Sequence, residues 1–162
     1  VIAQHPYIIA SYLWNMFDFA VPTSKRGSVD ARNMKGLMTF DRKIKKDSYF
    51  WYKANWSKEP VLYLTQRRNA VRERKETSVT VYSNMGAPKV YLNNQELTGA
   101  RKGYTDVHYI FDKVVLNDGK NMLKAVISYQ GKEYSDEIEW NYHGECNREA
   151  EFFEFKKEHG SW

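Results

Sequence analysis

"NMLKAVISY" (121–129) and "KEYSDEIEW" (132–140) lie either side of Gln130 and Gly131, and both are built largely of alternating apolar and polar residues. A period of two sends successive side chains to opposite faces, so both runs read as half-buried β-strands. Gly131 between them is a turn signal, because glycine accepts positive φ without steric cost. Working outward, similar β-forming runs recur in "VLYLT" (61–65), "TSVTVYSN" (77–84), "PKVYLN" (88–93) and "VHYIFDKVVL" (107–116). Asn84 to Gly86, Asn93-Asn94 and Asp118-Gly119 punctuate these runs, and Asn93-Asn94 tolerates the positive φ of a tight hairpin. Short strands at this spacing predict an immunoglobulin-like β-sandwich.

Ahead of Pro60 the pattern changes. "YIIASYLWNMFDF" (7–19) predicts a strand, followed by a polar loop rich in Gly, Ser and Arg (21–36) and a short apolar run, "GLMTF" (36–40). "KKDSYFWYKANW" (45–56) predicts a helix, with Asp47 as N-cap and Tyr49, Phe50, Tyr52 and Lys53 at helical spacings. One strand, one loop and one helix cannot close a core. This half therefore reads as the end of a larger domain. The predicted division is 1–58, then a sandwich over 59–142, then a tail over 143–162. In the tail, Phe152, Phe153 and Phe155 predict a short amphipathic helix.

Composition narrows the function classes. Aromatic residues make up 15% of the chain, which favours β-structure and stacking surfaces for flat ligands. A hydrophobic share of 42% suffices for a core. No apolar run approaches the ~20 residues of a membrane-spanning helix, so no membrane partner is predicted. Residues 1–10 lack the charged segment and small-residue cleavage site of a signal peptide. The single Cys146 excludes an internal disulfide framework and a cysteine-rich zinc site. The net charge of +5 sits largely in "RKIKK" (42–46) and "QRRNAVRERK" (66–75). These runs read as solvated surface, and no helix-turn-helix, zinc-finger or RNP-type signature accompanies them, so no nucleic-acid partner is predicted. His5, His108, His143 and His159 show no metal-ligand spacing, and His108 falls in a strand pattern. Ser11, Ser24 and Ser28 form no nucleophile–histidine–acid set, and there is no Gly-rich phosphate loop. Neither a metal nor a cofactor is predicted.

"SYLWNMFDFA" (11–20), "NMKGLMTFDRKIKKDSYFWYKANW" (33–56), "KVYLNNQELTG" (89–99) and "LNDGKNMLKAVISYQGKEYSDEIEWNY" (116–142) together resemble glycoside hydrolase family 2, nearest its β-galactosidase-like enzymes. The resemblance runs from about residue 5 to residue 142, and "WNMFDF" and "KGLMTFDRK" are its most specific parts. It implies a mainly β chain: an immunoglobulin-like β-sandwich preceded by the last strand, loop and helix of a (β/α)₈ barrel. Barrel active sites lie at the C-terminal ends of strands. The implied parent reaction is hydrolysis of a terminal β-galactoside with retention. That chemistry needs two carboxylates about 5–5.5 Å apart, one a nucleophile and one an acid/base. In the family both are Glu, on the fourth and seventh strands. Residues 1–58 contain no Glu, and their carboxylates are Asp18, Asp30, Asp41 and Asp47. No catalytic residue is therefore expected in this chain, and alone it is expected to be inactive.

The resemblance also implies substrate-binding residues: Trp14, Asn15, Asn33 and Lys35. Trp14 matches the tryptophan that ends the eighth strand and lines the sugar pocket, where an indole face packs against the apolar C–H face of a pyranose. Asn15 follows on the same strand end, and Asp18 is expected to orient a loop or an arginine such as Arg32 or Arg42. Asn33 and Lys35 match an Asn-x-Lys pair that contacts the sugar carboxylate in family β-glucuronidases. An amide and an ammonium two residues apart can both reach one carboxylate. Some β-galactosidase-like relatives carry the same pair, so the sugar stays open between galactoside and glucuronide. Lys35 stands where other β-galactosidases place a sodium-ligating Asn, and its charge would repel a cation. A different class of reading is a non-catalytic carbohydrate-binding module using Tyr91, Tyr104 and Tyr109. Ile8, Ile9, Leu13, Phe17, Phe50 and Trp51 are expected to be exposed unless covered, which predicts the missing barrel portion or a second copy as partner for residues 1–56. A periplasmic or secreted location is favoured over a cytoplasmic one.

Overall fold

The computed structural model describes residues 5–22 and 31–144. Asp30, Ser24, Ser28, Cys146, His159 and the predicted tail helix around Phe152, Phe153 and Phe155 lie outside them. In chain order the elements begin with β1 (Phe19–Ala20), β2 (Arg32–Asn33) and α1 (Asp47–Trp56). The strands β3 (Leu62–Leu64), β4 (Val71–Arg72), β5 (Glu76–Ser83) and β6 (Lys89–Leu92) come next. The last are β7 (Gln95–Leu97), β8 (Arg101–Lys102), β9 (His108–Val115), β10 (Gly119–Tyr129) and β11 (Lys132–Tyr142).

Each of the six predicted runs after Pro60 forms a strand. Together with β4, β7 and β8 they assemble into two sheets, β4-β11-β10-β6-β7 and β3-β5-β9-β8. The quoted pair β10 and β11 runs antiparallel from Gly119 opposite Tyr142 to Tyr129 opposite Lys132. Gln130 and Gly131 close that hairpin at φ 50° and 75°, and Asn93 and Asn94 close the β6–β7 hairpin at 49° and 68°. Positive φ at both central residues matches the right-handed twist of the flanking strands. The inward residues of both sheets make one core: Leu64, Val79, Val81, Phe111 and Val114 from one, and Val90, Leu123, Ala125, Ile138 and Trp140 from the other. The fold is therefore mainly β and two-layered, as an immunoglobulin-like sandwich requires.

The chain divides into two compact units, Val1–Tyr49 and Phe50–Trp162. Within the second, Ala54 of α1 is buried with Val61 and Tyr63, and Phe50 packs against them. Asn84 fixes the connection that follows the helix: its Oδ1 accepts from Val61 N at 2.8 Å, and its Nδ2 donates to Glu59 O at 2.8 Å and Ser57 O at 3.2 Å.

The first unit departs from expectation. The run 7–19 is not a continuous strand. Only Phe19 enters β1, which pairs with β2, and Phe17 makes a single parallel bridge to Met38. A strand is defined by its neighbours, and among the described residues the stretch before Asn15 pairs with no other strand. Ile9 is 99% exposed and Ile8 and Leu13 are exposed as expected, whereas Phe17, Phe50 and Trp51 are half-buried. Among the described residues no helix is long and apolar enough to cross a membrane.

Candidate functional site

Two stretches of the first unit lie side by side because their backbones bond. Leu37 N donates to Asn15 O at 3.1 Å, Met38 N to Met16 O at 2.9 Å, and Asp18 N to Met38 O at 3.0 Å. This brings the strand-end residues 14–18 beside the loop that carries 33–36. Gly36 is what permits it: a Cβ there would stand 2.1 Å from Asp18 N and 2.2 Å from Phe17 C.

Each expected substrate residue has a definite place. Trp14 is 72% exposed, its ring meeting Phe19 edge-on at 5.9 Å, and Phe19 is the cross-strand partner of Asn33. The peptide bond between Trp14 and Asn15 is cis. Asn15 turns its Oδ1 back to accept from Phe17 N at 2.8 Å, so its side chain shapes the backbone. Asn33 does the same one loop away, its Oδ1 accepting from Lys35 N at 3.0 Å, while Lys35 is exposed. Trp14 and Asn33 thus converge on Phe19, and Asn33 and Lys35 sit on one short loop.

Asp18 is buried and holds this loop. Its Oδ1 accepts from Gly36 N at 2.9 Å and from Lys46 Nζ at 2.6 Å, and the same Nζ donates to Met34 O at 2.9 Å. Asp18 therefore orients a loop, as expected, but its cation is neither Arg32 nor Arg42. Those guanidiniums lie over the rings of Phe40 and Phe17, at 4.6 and 4.7 Å. Lys46 went unrecognised because it closes a charge run that reads as solvated surface. The available signal was Asp18 itself, an acid in an apolar stretch that needs a cation if it is buried. The turn 39–44 is closed by Asp41, which accepts from Thr39 Oγ1 at 2.5 Å and Lys43 N at 3.2 Å. The Thr39 bond first, then the Lys43 amide, hold its carboxyl below the usual range.

Among its described residues the second unit offers no comparable arrangement. Tyr104 is 93% exposed, but Tyr109 is only 6% exposed and lies under Lys102, and Tyr91 is half-buried on the other sheet. The three tyrosines expected to stack on sugars do not share a face. A cleft of about 320 Å³ is lined by residues 69–78, including Arg72. The Arg72 guanidinium binds Gln66 and Thr77 and lies 4.1 Å from the Trp140 ring, so it supports the fold. Among the described residues no group of three or more His, Cys, Asp or Glu is placed to hold a metal ion.

No established family profile matches the chain. It is similar to a β-glucuronidase of Bacteroides fragilis, 33% identical over 143 residues, which covers 88% of this chain and 20% of that protein. Among solved structures it is similar to a provisionally named β-galactosidase of Bacteroides fragilis, at 77% identity and a TM-score of 0.87, covering 93% of this chain and 22% of that one. It is also similar to an FMN-binding β-glucuronidase of Faecalibacterium prausnitzii, at 38% identity and a TM-score of 0.73, covering 86% of this chain and 20% of that one. The chain thus spans about 20% of the length of these relatives.

Proposed function

We propose, from the premise that this chain belongs to glycoside hydrolase family 2 as a C-terminal part of an enzyme like its β-galactosidases and β-glucuronidases, that it supplies one wall of the sugar pocket of a retaining β-glycosidase. The observation that carries this reading is the pairing of residues 15–18 with 36–38, which brings Trp14 and the Asn33–Lys35 loop to one end of the first unit. Trp14 offers an exposed indole face to the apolar side of a pyranose. In this reading residues 1–58 are the end of the barrel and 59–142 the module that supports it.

The nucleophile and the acid/base belong to the rest of the parent. Bond cleavage needs both carboxylates across one glycosidic bond. Residues 1–58 have no Glu to offer. The chain alone is therefore inactive, and its residues bind and orient. The test is turnover of nitrophenyl β-glucuronide and β-galactoside by this purified chain and by the whole parent enzyme. Turnover by the parent only is the expected result. Turnover by the chain that survives repurification would put the catalytic pair within these residues and overturn the proposal.

For the sugar, we favour a terminal β-glucuronide. Lys35 presents an exposed cation beside the Asn33 amide, a pair suited to a carboxylate, and β-glucuronidases stand among the relatives. A terminal β-galactoside is the second reading, favoured by the 77% identity to the provisionally named β-galactosidase. Lys35→Ala in the whole enzyme separates them. Under the first reading it lowers kcat/KM for the glucuronide about ten-fold or more and leaves the galactoside unaffected, since one charge-assisted bond contributes about 1.5–3 kcal/mol. Equal effects on both sugars would favour the second.

A further inference from the structure

We infer that Asp18 and Lys46 are positioning residues for sugar specificity: their buried ion pair sets where Lys35 presents its ammonium. This rests on the reading of Asn33 and Lys35 as contacts to a sugar carboxylate. The Asp18 side chain is 5% exposed and that of Lys46 16%, at 2.6 Å. The pair grips the backbone on both sides of Lys35. Lys46 Nζ holds the Met34 carbonyl at 2.9 Å, and Asp18 Oδ1 holds the Gly36 amide at 2.9 Å. A third restraint falls between them, because Asn33 Oδ1 accepts from Lys35 N at 3.0 Å. The backbone from 33 to 36 is thus fixed at successive points, while the Lys35 side chain is exposed.

A long flexible lysine recognises an anion with selectivity only if its base is fixed, because an ammonium is a point charge without the built-in geometry of a guanidinium. Supporting groups that lock a binding residue typically control affinity without touching the ligand. Breaking the pair also leaves a buried charge without its partner, so the loop would have to rearrange. The rearrangement would displace Lys35 first, since its two neighbours carry the bonds.

The test uses the whole parent enzyme and the ratio of kcat/KM for nitrophenyl β-glucuronide to that for nitrophenyl β-galactoside. Asp18→Asn and Lys46→Met are expected to lower this ratio about ten-fold, mainly by raising KM for the glucuronide, since small misplacements of a binding group cost that much or more. Lys46→Arg, which keeps the cation, restores most of the ratio. Lys35→Ala combined with Lys46→Met lowers it no further than Lys35→Ala alone. If Lys35→Ala lowers the ratio but Lys46→Met weakens both substrates equally, the pair is only structural and the inference is overturned while the reading of Lys35 stands. Failure of both Asp18→Asn and Lys46→Met to fold would overturn it in the same way. An unchanged ratio in Lys35→Ala would sink the reading of Lys35 and this inference with it.

Discussion

The ring of Phe50 stacks on that of Tyr63, with centroids 3.8 Å apart and planes 10° from parallel. Tyr63 sits between Leu62 and Leu64 in β3, so alternation turns it to the face opposite the sandwich core. Phe50 and Ala54 of the helix therefore cover the outer side of the four-stranded sheet, so Phe50 of "SYFWY" (48–52) has a packing purpose there. Arg67, with its guanidinium 4.7 Å from the Tyr63 ring and bonded to Asp136, borders the same ring.

Phe50→Ala should destabilise the second unit by about 2–3 kcal/mol, below a fully buried phenylalanine because the ring is half-exposed. Urea unfolding of the purified chain followed by far-UV circular dichroism checks this. Phe50→Leu should recover part of the loss, and equal losses for both would point to backbone disturbance instead of lost ring contact.

Gly36→Ala should separate the two stretches of the first unit. The added Cβ would meet backbone atoms of Phe17 and Asp18 near 2 Å, and backbone cannot rotate away as a side chain would. Hydrogen exchange at the amides of Asp18, Leu37 and Met38, which bond across this seam, should accelerate by orders of magnitude. Exchange in β10 and β11 should stay as it was. Unchanged protection at the three amides would mean that the close approach is not obligatory.

Six strands were legible because each carries enough alternation, or enough β-branched and aromatic residues, to declare a buried face. β4, β7 and β8 were not, since two or three residues such as Arg101–Lys102 hold no period and are strands only by pairing with a neighbour. The stretch 7–19 misled for the opposite reason. Its residues favour a strand, but strand formation depends on partners, and Tyr7, Tyr12 and Trp14 remain exposed here. In the candidate site, the motifs single out Trp14, Asn33 and Lys35 as the proposed sugar contacts. The support beneath them was not legible, because the bond from Lys46 to Asp18 spans 28 positions and no local pattern encodes it.

Asn121→Ala should cost about 2–4 kcal/mol although it removes a polar residue from the interior. Asn121 is fully buried, its Oδ1 accepts from Asn117 N at 2.8 Å and Asn93 Nδ2 at 3.1 Å, and its Nδ2 donates to Asn117 O at 2.8 Å and Gly119 O at 3.0 Å. Alanine would strip four hydrogen bonds from the Asn117–Gly119 turn and Asn93, whose partly buried groups would lose their protein partners. A lower urea midpoint at unchanged slope is the expected result. A variant within about 0.5 kcal/mol of the parent chain would show that water replaces the amide.

His108 should make the second unit less stable as pH falls through the range just below 6.5. The imidazole is buried between Tyr82 and Tyr104, and its Nδ1 accepts from Tyr104 N at 3.3 Å, so the neutral ring carries its proton on Nε2. Burial first, and then the positive charge of Arg101, push its pKa below the ordinary 6.5. The unfolded chain, titrating near 6.5, therefore binds a proton before the folded one does. Stability rises with pH wherever the unfolded state holds more protons, so the contribution is complete above 6.5 and is lost as pH drops toward the lower folded value. Asp112, held low by its bond to Arg101, titrates below this window and is common to any His108 variant. Urea midpoints between pH 7.5 and 5.5 should fall for the parent chain and stay nearly level for His108→Gln, whose amide oxygen can still accept from Tyr104 N. Parallel curves for the two chains would assign the acid sensitivity to other groups.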